Sequence, residues 1–203
     1  FKWAISKTED NWFAHNNLGS YLVHIGKIEE AAFHINEALK INPYIANAHI
    51  NVGYYLAEKG RYEEAIEHYR IAVELDPKSV KGWNNLGLAL SKSGKIDEAI
   101  ECFLKTKELD SSFVDSYINL GYALTLKGKL NEAAEEYKQA IKIAPQNASA
   151  FNELGATLMD SGKLYESMQY FKEAIKLSPE FIEPRTNLAL VLKQIGKLDE
   201  AEE

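Results

Sequence analysis

Apolar residues recur along this chain at helical spacing, and the helical stretches themselves recur. Trp83, Leu86 and Leu90 fall on one face of a 3.6-residue period. Ala133, Tyr137, Ala140 and Ile141 do the same on a second kind of stretch. Two glycine series punctuate the pattern. Gly19, Gly53, Gly87, Gly121 and Gly155 stand 34 residues apart, and Gly26, Gly60, Gly94, Gly128, Gly162 and Gly196 follow seven positions later with the same period. Eleven of the 12 glycines belong to these series, Gly82 being the exception. Pro43, Pro77, Pro145 and Pro179 keep the same grid, with Ser111 in the missing place.

Counting each unit from Trp12, Ala46, Val80, Val114, Ala148 and Ile182 divides the chain into repeats 12–45, 46–79, 80–113, 114–147 and 148–181. Residues 1–11 read as the end of a preceding repeat, because Phe1-Lys2-Trp3-Ala4-Ile5 aligns with Tyr137-Lys138-Gln139-Ala140-Ile141. Residues 182–203 read as a partial sixth repeat, so the chain is expected to be a segment of a longer array. Each repeat predicts two helices. Helix A covers about the first fourteen positions, with apolar residues at positions 4, 7 and 11. The glycine at position 15 ends it, since glycine enters the left-handed cap conformation without steric cost. Helix B carries apolar residues at positions 20, 24, 27 and 28, and the proline at position 32 stops it. The mid-helix glycine at position 8 and the alanine at position 20 are expected to face one another and let the two helices approach.

This pattern resembles the tetratricopeptide repeat, whose 34-residue unit reads W-x2-L-G-x2-Y, then A-x3-F, then P. Trp83-Asn84-Asn85-Leu86-Gly87 copies its first element closely, and Tyr117-Ile118-Asn119-Leu120-Gly121 and Phe151-Asn152-Glu153-Leu154-Gly155 are near copies. Departures are His15, His49 and Arg185 at position 4 and leucine throughout position 11. The resemblance implies an all-α fold: a right-handed α-solenoid of stacked antiparallel helix pairs, with about twelve to thirteen helices over this length. It also implies a concave face lined by helix A that takes extended peptides or partner helices.

Composition narrows the functional class. With 23 Lys and Arg against 30 Asp and Glu, the formal net charge is −7. An acidic chain lacks the basic face that displaces counterions from nucleic acid. No apolar run approaches a membrane span, so direct insertion of this segment is not expected. One cysteine, Cys102, excludes an internal disulfide and a cysteine-based zinc site. Compartment stays open: cytoplasmic by default, extracytoplasmic if the segment is the tail of a membrane protein.

The helix A positions outside the core are the candidate binding surface. Position 6 reads Asn17, Asn51, Asn85, Asn119, Glu153 and Asn187. An amide side chain both donates and accepts, so a row of them can pair with a peptide backbone of any sequence. The superhelix of the O-linked N-acetylglucosamine transferase, to which this pattern is similar, uses an asparagine ladder in this way. The alternative is that these asparagines satisfy neighbouring helices or water. Positions 5 and 9 alternate: Ile50 with Tyr54 and Ile118 with Tyr122, against Asn16 with Ser20 and Asn84 with Leu88. Exposed aromatic and aliphatic groups of this kind suit a ligand anchor. The alternative packs the tyrosines between A helices with only the hydroxyl wet. Lys81 and Lys92 add positive charge to the third repeat, while position 5 holds no Lys and position 6 no Arg, which disfavours the carboxylate clamp of chaperone-binding relatives.

No catalytic, cofactor or metal site is expected. His15 and His49 occupy an aromatic packing position and predict core or half-buried imidazoles. There is no H-E-x-x-H motif, and the glycines are committed to packing and turns. The Asn147-Ala148-Ser149 sequon is within chance for this length. The sequence therefore predicts a non-catalytic module that binds a protein or peptide segment in its groove. Two other readings remain. The entry from Asn11 to Gly19 resembles the start of repeat tails on bacterial multi-pass membrane glycosyltransferases, which implies an accessory domain presenting protein substrates. Alternatively, end faces carrying Phe1, Ile5, Leu188, Leu192 and Leu198 drive end-to-end self-association.

Overall fold

The computed structural model describes residues 11–196. Eleven α-helices occur among them and no strand. The chain divides into two compact units, Phe1–Leu109 and Asp110–Glu203. Unit one contains α1 (Trp12–His24), α2 (Ile28–Ile41), α3 (Ala46–Glu58), α4 (Tyr62–Leu75), α5 (Val80–Lys92) and α6 (Ile96–Leu109). Unit two contains α7 (Val114–Leu126), α8 (Leu130–Ile143), α9 (Ala148–Asp160), α10 (Leu164–Leu177) and α11 (Ile182–Gln194). Every helix A thus occupies positions 1–13 and every helix B positions 17–30. This is the expected all-α solenoid of helix pairs.

Local sequence sets these boundaries. Asn11, Ser79 and Asn147 cap the N-termini of α1, α5 and α9, each accepting a hydrogen bond from the backbone N–H three residues on. At the other end of helix A, the position-15 glycines adopt φ between 73° and 82°. The Gly26 N–H then donates to Val23 O and the Lys27 N–H to Leu22 O, satisfying two carbonyls that the helix leaves open. The same pair of bonds follows Gly60 and Gly94. The leucine at position 11 supplies the accepting carbonyl each time, while its side chain is buried.

Within unit one, α1 packs on α2, α3 on α4 and α5 on α6; each helix A also touches the next helix A and the preceding helix B. Unit two stacks α7 to α11 in the same manner. The close approach inside each pair differs from the small-against-small contact expected. A Cβ at Gly53 would lie 2.7 Å from Tyr69 Cε1, and one at Gly155 would lie 2.7 Å from Phe171 Cε1. In the second to fifth repeats, position 8 therefore seats the ring at position 24, while in the first repeat Gly19 faces Ile35 and a Cβ there would also lie 3.3 Å from Ala31 O. Tyr69, Phe103, Tyr137 and Phe171 are each at most 2 % exposed.

The last helix also departs from expectation. Leu192 is buried, and it joins Met168, Phe171 and Val191 in a core against which Leu188 packs. These two leucines face back onto the fifth repeat and do not form an open end face. Phe1, Ile5 and Leu198 lie outside the described residues.

Candidate functional site

The helix A face of each unit is where side chains outside the core collect. Geometry sorts the expected residues into two groups, and a third grouping joins some of the second to neighbours around one cleft.

The first group is consumed by packing between A helices. In unit one, Ile50 is 2 % exposed, and Asn51 and Asn84 are 7 % exposed. Asn51 Nδ2 donates to Ser20 Oγ at 3.0 Å, which ties position 6 of one repeat to position 9 of the repeat before it. In unit two, Asn187 Nδ2 donates to Asn152 Oδ1 at 3.1 Å, and Asn152 is itself buried. Ile50 is therefore core and not an exposed anchor. Asn51 and Asn187 spend amide hydrogens on the neighbouring repeat. The cause is geometric: adjacent A helices lie side by side, and positions 5 and 6 point at the seam.

The second group remains accessible. Asn17, Asn85, Ile118 and Asn119 are half-buried, and Lys81 and Lys92 are exposed. Tyr54 is 37 % and Tyr122 47 % exposed, so these position-9 rings are open over much of their surface and not wet at the hydroxyl alone.

The third grouping was not singled out as a set by spacing. In unit one, α3, α4 and α5 bound a cleft of about 260 Å³ lined by Tyr54, Glu58, Tyr62, Asn85, Leu88 and Lys92. It unites three candidate binding residues, Tyr54, Asn85 and Lys92, with Leu88 and Glu58, which spacing places on the same helix A face, and with Tyr62, which it did not single out. Leu88 is 38 % exposed. It sits at position 9 like Tyr54, and that recurrence was the available signal. Tyr62 opens helix B, a position that is apolar in every repeat (Ile28, Ile96, Leu130 and Leu164 elsewhere). Glu58 and Lys92 share position 13 of neighbouring repeats and bring opposite charges to one cleft.

Unit two carries a polar counterpart. Glu153 takes the place of the position-6 asparagine and is half-buried. Burial holds its carboxyl above the usual carboxylate range, with Glu183 adding repulsion and a hydrogen bond from Asn152 opposing the shift.

Two larger hollows lie on the helix B side of unit one. The first, about 530 Å³, is lined by residues that include Arg70, Trp83, Glu98 and Lys105, and Arg70 closes on Glu98 at 2.6 Å. Cys102 lies at its edge, buried, with burial and the neighbouring Glu101 and Glu98 pushing its thiol up to about 12. The second, about 580 Å³, is lined by residues that include Phe33, Glu37, His49 and His68. The position-4 histidines of the first two repeats find partners, His49 in this hollow. His15 and His34 approach Nδ1 to Nδ1 at 3.1 Å, and His49 and His68 at 3.0 Å. Burial and the adjacent His49 hold His68 below the ordinary histidine value. Among the described residues no group of three His, Cys, Asp or Glu side chains is placed to hold a metal, and no helix is long and apolar enough to cross a membrane.

Comparison with known proteins places this geometry. The family model described as the Cilia and flagella-associated protein 70 C-terminal domain, a tetratricopeptide-repeat model, matches residues 3–203. No curated protein matches the chain in sequence. Among solved structures, PilW, a widely conserved type IV pilus biogenesis factor, superposes with a TM-score of 0.85 at 22 % identity, covering 96 % of this chain and 90 % of its own. YrrB, a tetratricopeptide-repeat protein with an unusual peptide-binding site, gives 0.75 at 21 % identity, over 90 % of this chain and 94 % of its own. The Cut9–Hcn1 hetero-tetramer of the APC/C gives 0.78 at 18 % identity, over 97 % of this chain and 40 % of the other. At these identities the likeness shows the fold.

Proposed function

Because the chain belongs to the family of the Cilia and flagella-associated protein 70 C-terminal domain, a tetratricopeptide-repeat family, we propose that it is a non-catalytic protein-interaction module that binds an extended peptide segment on its helix A face. Such folds serve generally as interaction modules. The observation that carries the finer reading is the unit-one cleft between α3, α4 and α5. Two adjacent repeats place large apolar side chains at position 9, Tyr54 and Leu88, together in one cleft with more than a third of each open to solvent, and a contiguous apolar patch suits a partner's side chain. Tyr62 extends the apolar lining, and Glu58 and Lys92 offer charges of both signs beside it. Asn85 adds an amide that can pair with a peptide backbone, as position 6 was expected to do.

A peptide seated here would place one apolar side chain between Tyr54 and Leu88 and run its backbone past Asn85. The peptide-binding description of YrrB and the Cut9–Hcn1 hetero-tetramer are compatible with this mode, at the level of the shared fold. The test is selection of extended peptides from a random displayed library on the whole chain, followed by affinity measurement on Tyr54→Ser, Leu88→Glu and Asn85→Ala variants. Selected peptides should lose about tenfold or more in affinity on Leu88→Glu, the size of effect expected of an anchor residue. Equal affinity for the parent and for the Tyr54→Ser, Leu88→Glu double variant would sink the reading.

A further inference from the structure

His49 and His68 form a pair whose protonation pattern is fixed by its surroundings. His49 Nε2 lies 3.0 Å from the carbonyl oxygen of Pro43. That oxygen can only accept, so His49 Nε2 carries a hydrogen and donates it. In the neutral ring His49 Nδ1 is then a bare lone pair. It faces His68 Nδ1 at 3.0 Å, so His68 must donate from Nδ1. The anchoring of His49 belongs to the repeat: Trp83 Nε1 donates to Pro77 O and the Tyr117 hydroxyl to Ser111 O from the same position. Position 4 thus holds the preceding linker in the second, third and fourth repeats, and with histidine there the ring has a second nitrogen, which meets His68.

We propose that His49 and His68 are a two-nitrogen clamp for a divalent transition-metal ion of the Cu²⁺, Ni²⁺, Zn²⁺ class. Three features support this. The first is spacing. With metal–nitrogen bonds of about 2.0–2.1 Å, two imidazole nitrogens on one ion stand about 2.9 Å apart at a right angle and about 3.3 Å apart at the tetrahedral angle. The observed 3.0 Å lies inside that interval. The second is orientation. A ligating histidine ordinarily gives its other N–H to a carbonyl or carboxylate, which sets its tautomer and its aim. Pro43 O already does this for His49. The third is access. Both rings line the hollow of about 580 Å³ between α2, α3 and α4, which has room for the water ligands that complete the shell. Glu37 lines the same hollow, although its carboxylate is held by Lys40 at 2.6 Å.

Binding moves one proton. The Nδ1 hydrogen of His68 leaves as the metal bond forms, and a proton enters at His68 Nε2. For the neutral pair no net proton is released, and His68 changes from the Nδ1–H to the Nε2–H tautomer.

The test uses the whole chain in an His34→Ala background, which removes the related His15–His34 pair. Copper(II) and nickel(II) chloride are titrated calorimetrically at pH 7.5, and nitrogen-15 NMR follows the imidazoles. One equivalent should bind, with His68 showing the tautomer change. Adding His68→Ala or His68→Gln should weaken binding at least about tenfold, since a direct ligand should matter no less than a group that only hydrogen-bonds a ligand. Helicity by circular dichroism confirms that each variant is folded. Undiminished affinity in both folded His68 variants, or saturation with the His68 tautomer unchanged, would overturn the proposal.

Discussion

Gly87 presses its bare Cα against the ring of Phe103: a Cβ there would stand 2.5 Å from Phe103 Cε1 and 2.9 Å from Cδ1. A ring that is 1 % exposed has no free volume to retreat into. Gly87→Ala gains helix propensity of about 1 kcal/mol in principle. Overpacking at this contact works the other way, by about 1–3 kcal/mol. We expect net destabilisation, read as a lower urea midpoint with an unchanged slope. Gly87→Ala with Phe103→Leu should recover part of the loss, and no recovery would show that the ring is not the cause.

Asn51 and Ser20 join adjacent A helices in unit one through a single side-chain hydrogen bond. Asn51→Ala should cost about 0.5–1.5 kcal/mol. Ser20→Ala in the Asn51→Ala background should then cost little further. A double-mutant cycle by chemical denaturation measures the coupling, and strict additivity would contradict the role assigned to Asn51 as a seam residue.

Glu153 titrates above its ordinary value, so the folded chain holds that proton more tightly than the unfolded one does. The stability linked to it is complete below the unfolded value near 4.5 and is lost as pH rises through the folded value. Glu153→Gln never ionises. Its melting temperature should match that of the parent at low pH and exceed it progressively from about pH 4.5 upward. A gap between the two that does not change with pH would refute the linkage.

Tyr54→Ser and Leu88→Ser remove apolar groups that the fold leaves more than a third exposed. Each should shift stability by no more than about 0.5 kcal/mol, as at an ordinary surface site. Ile50→Ser, one turn from Tyr54 but 2 % exposed, should cost several times more. Thermal denaturation of the three variants separates them, and a large loss on Leu88→Ser would mean that the side chain is structural and not held open for a ligand.

The periodicity made the fold legible because its signals are local. The position-15 glycines and the linker prolines mark helix ends wherever they occur, and helix A closes within a residue of its expected limit. Contacts between elements were less legible. Spacing identified Gly53 as a close-approach residue but could not say that its partner is the Tyr69 ring. Ile50 and Ile118 share a position and a residue type, yet one is core and the other half-buried. The asparagine row left two readings open, contact with a ligand backbone or bonding to the neighbouring helix, and no single one applies to the whole row. Instead Asn51 and Asn187 bond the adjacent repeat while Asn85 lines a cleft. Repetition in sequence identifies equivalent positions, and cross-repeat partners decide what each of them does.

The buried sulfur of Cys102 has a practical reach. Only the thiolate attacks maleimides and iodoacetamides, and a thiol held near 12 supplies almost none at pH 7. Cys102 should therefore react far more slowly with these reagents than an exposed thiol does. A second cysteine placed at an exposed site outside the cleft lining, such as Lys81, would be the more reactive handle, so a fluorophore or spin label could be installed on α5 in a single step with Tyr54 and Leu88 left in place.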